Sequence, residues 1–182
     1  MKVLKEIEER RSIRKYKNQP IADEDIYHIM EAARLAPSGS NTQPWKFMIV
    51  KDEEVKKRIV NVDHKQEWML SAPLFIVCLA DMTSRVDVTQ ADCVVNESSA
   101  DENLKLIIRD TAIAISYMLL EAQHRGIGTC WTGWYEQQQM RDAIGVPEYF
   151  YVSGILTVGY ADESPVQRPR RKLEDILINC TL

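Results

Sequence analysis

The sequence predicts one domain of the α+β class, and three observations lead there. Its 182 residues suit one domain, and 45% apolar and 27% charged residues are ordinary for a globular protein. The stretches LFIVCLA (74–80) and YVSGILTVGY (151–160) have the length and apolar content of strands. Helical spacing occurs around them, without an internal repeat or a Gly/Ser linker. We therefore expect residues 1–182 to form one domain.

Four elements are expected before the first apolar strand. The N-terminal MKVLKEIEERR alternates charged and apolar residues, which indicates a helix and not a signal peptide. Asp23 is the expected N-cap of a second helix that ends near Ala36, since apolar residues recur at helical spacing. A short strand at 47–50 and a surface helix in DEEVKKRIV (52–60) follow.

One long helix dominates the second half of the chain. Residues 81–103 before it are polar and irregular, which predicts a functional lid or a mobile segment without deciding between them. Leu104–Arg125 has helical spacing, is closed by Gly126, and is apolar nearly all round. Such a helix must be covered on several sides, and in a small chain a second copy could supply part of that cover. EQQQMRDAIG predicts a shorter helix that ends at Gly145.

Charge and composition argue against several classes of protein. The net charge of −4 disfavours a general nucleic-acid binder, and no apolar run reaches the ~18 residues that span a bilayer. Cys78, Cys93, Cys130 and Cys180 lie far apart and predict reduced thiols, not a metal site. The three histidines show no metal-ligand spacing. We therefore expect a cytoplasmic protein that uses no metal and has neither membrane nor nucleic acid as a partner.

The first candidate binding motif is RRSIRKY at residues 10–16. In an extended segment, side chains two residues apart share a face, so Arg10, Ser12 and Arg14 would converge. Two guanidinium groups and a hydroxyl suit a phosphate, because arginine gives its oxygens charged, bidentate hydrogen bonds. The alternative is a solvated basic face, which this motif alone favours.

The second motif is the loop APSGSNTQP at residues 36–44. Its Ser, Asn, Thr and Gln side chains supply hydrogen-bond donors and acceptors, and Gly39 permits close approach of a ligand to the backbone. Such a loop suits a polyhydroxylated chain or the edge of a heteroaromatic ring. An elaborate helix-to-strand turn is an equally good interpretation of the loop alone.

The third motif is RGIGTCWTGWYE at residues 125–136. A helix precedes it and no strand does, so it is a poor match to the G-x-G-x-x-G dinucleotide site. The backbone of Gly133 is a candidate donor to a flat ligand, with Trp131 or Trp134 as an apolar wall. The alternative is that both tryptophans simply fill the core.

Taken together and in this order, the motifs resemble those of the nitroreductase family, FMN-dependent enzymes that use NADH or NADPH. The resemblance is carried by RRSIRKY, APSGSNTQPWKF, GIGTCWTG, GVPEYFYVSGILTVGY and a basic stretch before LEDI. It covers roughly residues 5–60 and 105–175, and P-S-x-x-N-x-Q-P-W is its specific part. It implies a three-layer α+β fold, with a mostly antiparallel sheet between helices, in an intertwined homodimer.

The resemblance also implies which residues hold the cofactor, in a site at the subunit interface. One group matches the family's contacts to the FMN phosphate and ribityl chain, with Arg11 acting through its backbone: Arg10, Arg11, Ser12, Arg14, Arg168 and Arg170. A second group matches the loop that reaches the flavin from the other subunit: Pro37, Ser38, Gly39 and Asn41. A third matches the backbone segment near the flavin ring: Trp131, Thr132 and Gly133.

The sequence departs from the family pattern in three places. Gln66, in HKQEW, is the candidate polar contact to the flavin, but Lys65 stands where relatives often have Asn. Lys172 stands where a Pro commonly follows the basic pair. Residues 81–103 match nothing in the family, so the substrate pocket is left unassigned.

The resemblance implies an oxidoreductase activity. Hydride would pass from NADPH or NADH, through tightly bound FMN, to a small electron-poor acceptor such as a nitroaromatic or a quinone. Use of one site in turn predicts ping-pong kinetics. No acid–base pair or nucleophile is needed, and we assign no catalytic side chain. The alternatives are a dimeric module that binds flavin or an anionic metabolite without turnover, or a specialised relative that dehalogenates, reduces activated alkenes or fragments the flavin.

Overall fold

The computed structural model describes residues 3–89 and 95–178. Its helices are α1 Lys5–Glu9, α2 Asp23–Arg34, α3 Glu53–Val62, α4 Glu102–His124 and α5 Gln137–Ile144. Its strands are β1 Trp45–Val50, β2 Leu74–Asp81, β3 Gly128–Thr132 and β4 Phe150–Gly159. Short 3₁₀ turns lie at Gly39–Asn41, Glu67–Ser71, Met82–Ser84 and Leu173–Asp175.

The four strands form one sheet in the order β1-β2-β4-β3, and each neighbouring pair is antiparallel. The central strand β2 is buried at all eight positions, as its unbroken apolar sequence predicts. β1 and β3 are therefore the outer strands of the described sheet, on opposite sides of it. The predicted antiparallel sheet is confirmed.

Helices cover both faces of the sheet and produce three layers. α2 and α4 pack on one face, where Ile29 and Ile76 belong to the same apolar core. α3 and α5 pack on the other face, around Ile59 and Val77. The neighbours Ile76 and Val77 of β2 thus enter different cores, which is the period of two expected of a strand. The predicted three-layer α+β fold is confirmed.

Several element bounds differ from those expected by one or two residues; α4, for example, begins at Glu102 and not at Leu104. Asp23 is not the N-cap of α2; Ala22 holds that position, and Asp23 is the first helical residue, where its charge suits the positive helix end. β1 starts at Trp45, two residues early, because its pairing with β2 begins there. The expected ends of α4 and α5 are confirmed, since Gly126 and Gly145 both have a φ of 71°.

The described parts of segment 81–103, residues 81–89 and 95–103, begin and end in regular structure. Asp81 completes β2 and caps the following 3₁₀ turn by accepting the N–H of Thr83. At the other end, the Asp101 carboxylate accepts the N–H of Leu104 at 3.0 Å and caps α4. The prediction of a lid or mobile segment falls partly on residues 90–94, which lie outside the described residues.

One side of α4 is left without cover by the described chain. Ile113 and Tyr117 are 37% and 41% exposed on this helix. Leu4 beside α1 lines a cavity of about 520 Å³ together with Tyr117 and Leu120. α4 is thus buried against the sheet and α2 but keeps an apolar outer face. That face is available to a second copy, and the homodimer remains a prediction.

Two further sequence expectations concern thiols and membranes. Cys78 and Cys130 are free and buried, whereas Cys93 and Cys180 lie outside the described residues. In the described part of the chain, no helix combines the length and apolar character needed to cross a membrane.

Candidate cofactor site

The basic motif is an extended segment that lies along the outer edge of β3. Ser12 forms a parallel bridge with Thr129, and the N–H of Ile13 donates to the Thr129 carbonyl at 2.9 Å. Ile13 and Tyr16 point into the core, where the Tyr16 hydroxyl meets Thr157 Oγ1 at 2.7 Å. Arg10, Ser12 and Arg14 remain outside the core, as the extended geometry predicts.

The structure brings these residues together with the C-terminal basic pair. They surround a cavity of about 190 Å³, here called the arginine pocket, which combines one hydroxyl and five guanidinium groups with two apolar residues. Its lining residues are Arg10, Arg11, Ser12, Arg14, Pro165, Val166, Arg168 and Arg170. All six residues expected at the phosphate are present, although more than 150 positions separate the two groups in the sequence.

Among the described residues, no guanidinium group of the arginine pocket forms an ion pair with a carboxylate. There, the arginines that form ion pairs are Arg34, Arg85 and Arg125, and each lies outside the pocket. The Arg11 guanidinium is tied back by donating to the carbonyls of Glu8 and Arg10, both at 2.8 Å. Concentrated positive charge beside a hydroxyl fits a phosphate dianion.

The C-terminal side of the pocket is held to the basic segment by carboxylates. The Glu163 side chain accepts the backbone N–H groups of Arg14 and Lys15, and the Lys15 ammonium pairs with Asp162 at 2.9 Å. The bonds to Glu163 use backbone N–H groups as donors, so the Arg14 guanidinium stays available to a ligand.

Gln66 and Thr132, both expected near the flavin ring, meet on one buried carboxylate. Asp63 is fully buried and accepts hydrogen bonds from the Gln66 amide at 2.9 Å and from the Thr132 hydroxyl. Burial raises the pKa of Asp63 to about 6, while the Gln66 hydrogen bond and nearby His64 oppose that shift. The Asp63 carboxylate thus links the end of α3 to the end of β3.

Trp68 connects this ring-side group to the arginine pocket. Its indole N–H donates to the Gln66 amide oxygen at 3.1 Å, and the Arg14 guanidinium carbon lies 5.7 Å from the Trp68 ring centre. The Gln66 amide is therefore fixed in orientation, with its nitrogen toward Asp63 and its oxygen toward Trp68. One amide hydrogen and one oxygen lone pair remain for a ligand.

The two tryptophans of the third motif have different surroundings. The Trp131 indole packs on Gly154 and donates to the Ser153 carbonyl at 3.3 Å. By the alternation of β3 it lies on the opposite sheet face from Thr132. Trp134 is 69% exposed and stacks on His64, with ring centroids 3.7 Å apart. Of these two tryptophans, Trp134 and not Trp131 therefore lies on the side of Gln66 and Thr132.

The polar loop, residues 37–43, has an unusual backbone. Ser40, Asn41 and Gln43 all have positive φ values, between 47° and 55°, without being glycine. Each such residue costs on the order of 1–2 kcal/mol, less for Asn, and a concentration of them is typical of functional sites. Within the loop, the Gln43 N–H donates to the Ser38 hydroxyl at 2.9 Å. Asn41 is exposed and presents its amide to solvent.

The polar loop and the arginine pocket lie far apart on one chain. The loop leads into β1, whose first residue Trp45 is level with Tyr151 of β4 through their shared partner in β2. Ser12 lies beyond β3, where Thr129 is level with Val158. With strands ~4.8 Å apart and a rise of ~3.3 Å per residue, the two positions are roughly 30 Å apart in the sheet.

α4 gives an independent measure of the same separation. The N–H of Gly39 in the polar loop donates to Asp110, whereas Glu6, just before the basic segment, bonds His124. The two helix positions are about 21 Å apart at 1.5 Å per residue. The structure thus links the basic group to Gln66 and Thr132 through Trp68 and Asp63, and it leaves the loop group apart from them.

These features define a three-layer α+β fold with an arginine-lined pocket beyond one outer strand and a strained polar loop leading into the other. Residues 7–160 match the family model described as the nitroreductase family. Because this match spans most of the chain, the chain belongs to the nitroreductase family.

Individual relatives extend the comparison. An Archaeoglobus fulgidus protein, provisionally named NADH dehydrogenase/NAD(P)H nitroreductase, is 35% identical over 164 residues, covering 86% of this chain and 84% of that protein. Iodotyrosine deiodinase of Thermotoga neapolitana is 24% identical over 95% of this chain and 96% of its own. NADPH:FMN oxidoreductase of Vibrio harveyi, solved with NAD⁺, is 25% identical with a TM-score of 0.85, covering 97% of this chain and 76% of that chain.

Four residues around the site were not singled out from the sequence: Asp63, Trp68, Arg85 and Asp110. Only Asp63 carries a usable signal. It is the C-cap of α3, where a negative charge is disfavoured by the helix dipole, so an acid there requires a reason. The other three resemble ordinary surface or core positions until the fold brings their partners beside them.

Proposed function

We propose that this chain is an FMN-dependent oxidoreductase that passes hydride from NADPH or NADH to a small electron-poor acceptor, such as a nitroaromatic or a quinone. We further propose that residues 1–182 act as one domain in a homodimer. Each flavin would lie between the arginine pocket of one subunit and the polar loop of the other. The observation that carries the proposal is the arginine pocket itself.

The pocket fits the terminal phosphate of FMN. Five guanidinium groups and the Ser12 hydroxyl surround a space of about 190 Å³, enough for a phosphate but not for a whole flavin. The wall continues from Arg14 through Trp68 to Gln66 and Thr132, the direction in which the rest of a mononucleotide would extend. The family's FMN therefore suits the residues present.

A second copy is supported by distance and by surface. The roughly 30 Å between the polar loop and Ser12 exceeds what one mononucleotide spans, so one chain cannot bring both to the same ligand. The exposed apolar face of α4, with Ile113 and Tyr117, offers an area for the copy to cover.

The mechanism assigns binding and orientation to the protein. FMN, when bound, would supply the hydride chemistry between the nicotinamide and the acceptor. The arginine pocket would anchor the phosphate, and Gln66 and the backbone of 131–133 would orient the flavin ring. Trp134 is exposed, so the site would stay open to solvent on the side of Trp134. Donor and acceptor would use this opening in turn, which predicts ping-pong kinetics.

The first test is an absorption spectrum of the purified protein and chromatography of the chromophore that heat releases. We expect flavin bands, FMN as the released compound and bleaching by NADPH or NADH in the absence of oxygen. A colourless protein that takes up no added FMN would refute the proposal. Bound FMN without oxidation of either nicotinamide by any acceptor would favour the binding module without turnover.

The arginine pocket is tested by Arg14→Ala. Loss of a charged hydrogen bond to phosphate should raise the FMN dissociation constant about 10- to 100-fold. Arg58→Ala is the matched control, because Arg58 lies on α3 outside the pocket and donates only to the Ala143 carbonyl at 2.9 Å. Equal affinities of wild type and Arg14→Ala would contradict the phosphate assignment.

The shared site is tested by mixing defects. Arg14→Ala and Asn41→Ala should each weaken both sites of a homodimer. A heterodimer of the two variants, purified through different tags, should regain one site of wild-type affinity. A confirmed heterodimer in which neither site recovers would rule out sharing across subunits.

A dehalogenase is the second candidate, and the deiodinase relative is the observation that favours it. That likeness covers nearly all of the chain but at 24% identity. Release of iodide from an iodinated phenol under reducing conditions, at a higher kcat/KM than nitroaromatic or quinone reduction, would identify this specialisation.

A further inference from the structure

Two side chains from outside the polar loop hold the backbone of Gly39. The Asp110 carboxylate of α4 accepts the Gly39 N–H at 3.1 Å, and the Arg85 guanidinium donates to the Gly39 carbonyl at 3.0 Å. The same Arg85 nitrogen lies 3.8 Å from the Asp110 carboxylate. Their side chains are only 15% and 11% exposed, so water competes weakly for these contacts.

The space around Gly39 admits the side chains of Arg85 and Asp110, which together are called the clamp here. A Cβ added at Gly39 would lie 2.9 Å from the Arg85 Nη2 atom and 3.7 Å from the Asp110 carboxylate. Glycine is thus what allows both charged groups to reach the backbone. Arg85 belongs to the 81–103 segment, for which the family resemblance offers no role.

The clamp sits directly before the strained part of the loop. Ser40, Asn41 and Gln43 hold left-handed backbone conformations that an unrestrained loop would leave. Inside the loop, the Ser38 hydroxyl accepts the Gln43 N–H, which ties the loop only to itself. Among the described residues, the hydrogen bonds with Arg85 and Asp110 are those that join the loop to the rest of the fold.

We propose that Arg85 and Asp110 are positioning residues that hold the polar loop in the conformation with which it completes the cofactor site of the partner subunit. This inference rests on the proposed shared site. It implies that a change at Arg85 acts in trans: the flavin site that weakens is the one built on the partner's arginine pocket.

The first experiment measures FMN affinity in Arg85→Met, which keeps the length of the side chain without its charge. We expect the dissociation constant to rise about 10- to 100-fold, and Arg85→Lys, which keeps a charged donor, to recover part of that loss. Arg141→Met is the matched control. Arg141 is likewise a largely enclosed arginine bonded to carbonyls, those of Val95 and Phe150, but neither carbonyl belongs to the polar loop. It should lower thermal stability without weakening FMN binding. An unchanged FMN affinity in Arg85→Met would overturn the inference.

The second experiment separates action in trans from a structural role in cis. A heterodimer of Arg85→Met with Arg14→Ala combines an intact pocket on the first chain with an intact loop on the second. We expect one FMN per dimer at wild-type affinity. If Arg85 served its own chain's pocket, no site of wild-type affinity would form, and the inference would be wrong.

The Arg14→Ala and Asn41→Ala heterodimer is the reference for this result. If it recovers a site while the Arg85→Met heterodimer does not, the positioning role fails and the proposed function stands. If neither recovers, the shared site is wrong and the positioning role falls with it. Should Arg85→Met not fold, Arg85→Lys and Asp110→Asn replace it. Wild-type FMN affinity in both homodimers, or heterodimers with Arg14→Ala that regain no site, would again overturn the inference.

Discussion

The buried carboxylate of Asp63 makes a specific prediction for the pH dependence of stability. It accepts hydrogen bonds from the Gln66 amide and the Thr132 hydroxyl. In the isosteric Asp63→Asn, the amide oxygen can still accept from Gln66, and the amide nitrogen can donate to the Thr132 hydroxyl oxygen. The substitution removes the titration and leaves the shape. Comparison of the two proteins across pH therefore isolates the cost of burying this charge.

The magnitude follows from the two pKa values. Burial raises the pKa of Asp63 to about 6 from an ordinary value of 3.8. Between these values the folded state binds more protons than the unfolded state, so the free energy of unfolding falls as pH rises. The whole loss is about 3 kcal/mol, of which about 2 kcal/mol falls between roughly pH 4.5 and 7.5. Asp63→Asn should lack this decline.

The assay is urea unfolding of both proteins over that pH range in equal excess FMN. Any titration of FMN is common to both and cancels in the difference. Asp142→Asn, which removes an exposed carboxylate from α5, is the control and should follow the wild type. A difference between wild type and Asp63→Asn that does not vary with pH would refute the raised pKa. A difference of opposite slope would mean that the hydrogen bonds from Gln66 and Thr132 outweigh burial.

Two further predictions concern α3 and β4. Lys56 is buried and its ammonium lies 2.8 Å from Glu53, whereas the neighbouring Lys57–Glu54 pair is exposed at 2.7 Å. Glu53→Ala should therefore lower the free energy of unfolding by about 1.5 kcal/mol, the low end for a charged hydrogen bond because Glu53 is itself exposed. Glu54→Ala should change it little in the same urea titration. Equal effects would show that burial of Lys56 is unimportant. A Cβ at Gly154 would lie 2.0 Å from the Trp131 Nε1 atom, so Gly154→Ala should cost about 1–3 kcal/mol and shift the tryptophan fluorescence. Gly133→Ala meets nothing closer than 4.0 Å and should leave stability unchanged while weakening FMN binding. Loss of stability in Gly133→Ala would contradict this.

Part of the arginine pocket was predictable because Arg10, Ser12 and Arg14 lie in one short segment of the sequence. Alternation along an extended segment is enough to place Arg10, Ser12 and Arg14 on one side, and the structure confirms that placement. Arg168 and Arg170 required the family resemblance, since nothing in their own sequence says which segment they face. Asp23 shows the limit of local signals: the fold starts α2 one residue earlier, with Ala22 as the cap.

The supporting residues were not predictable for a different reason. Asp63, Arg85 and Asp110 each have a partner that lies tens of residues away in the sequence. Arg85 meets Gly39 across 46 positions and Thr132 meets Asp63 across 69. No periodicity or propensity encodes such pairs, and a buried charge is recognisable only once its surroundings are known.

The strand order explains why the proposed shared site requires a second copy. The polar loop leads into β1 and the basic segment lies beyond β3, and these are the two outer strands of the described sheet. Side-chain changes cannot close a gap of roughly 30 Å that topology imposes. A ligand contacted by both must therefore bind between chains. Each flavin bound across the interface would stabilise the dimer by the free energy of its own binding. The affinity for FMN and the affinity between subunits would therefore be coupled. In this arrangement, Arg85 and Asp110 support a site to which their own chain contributes only a loop.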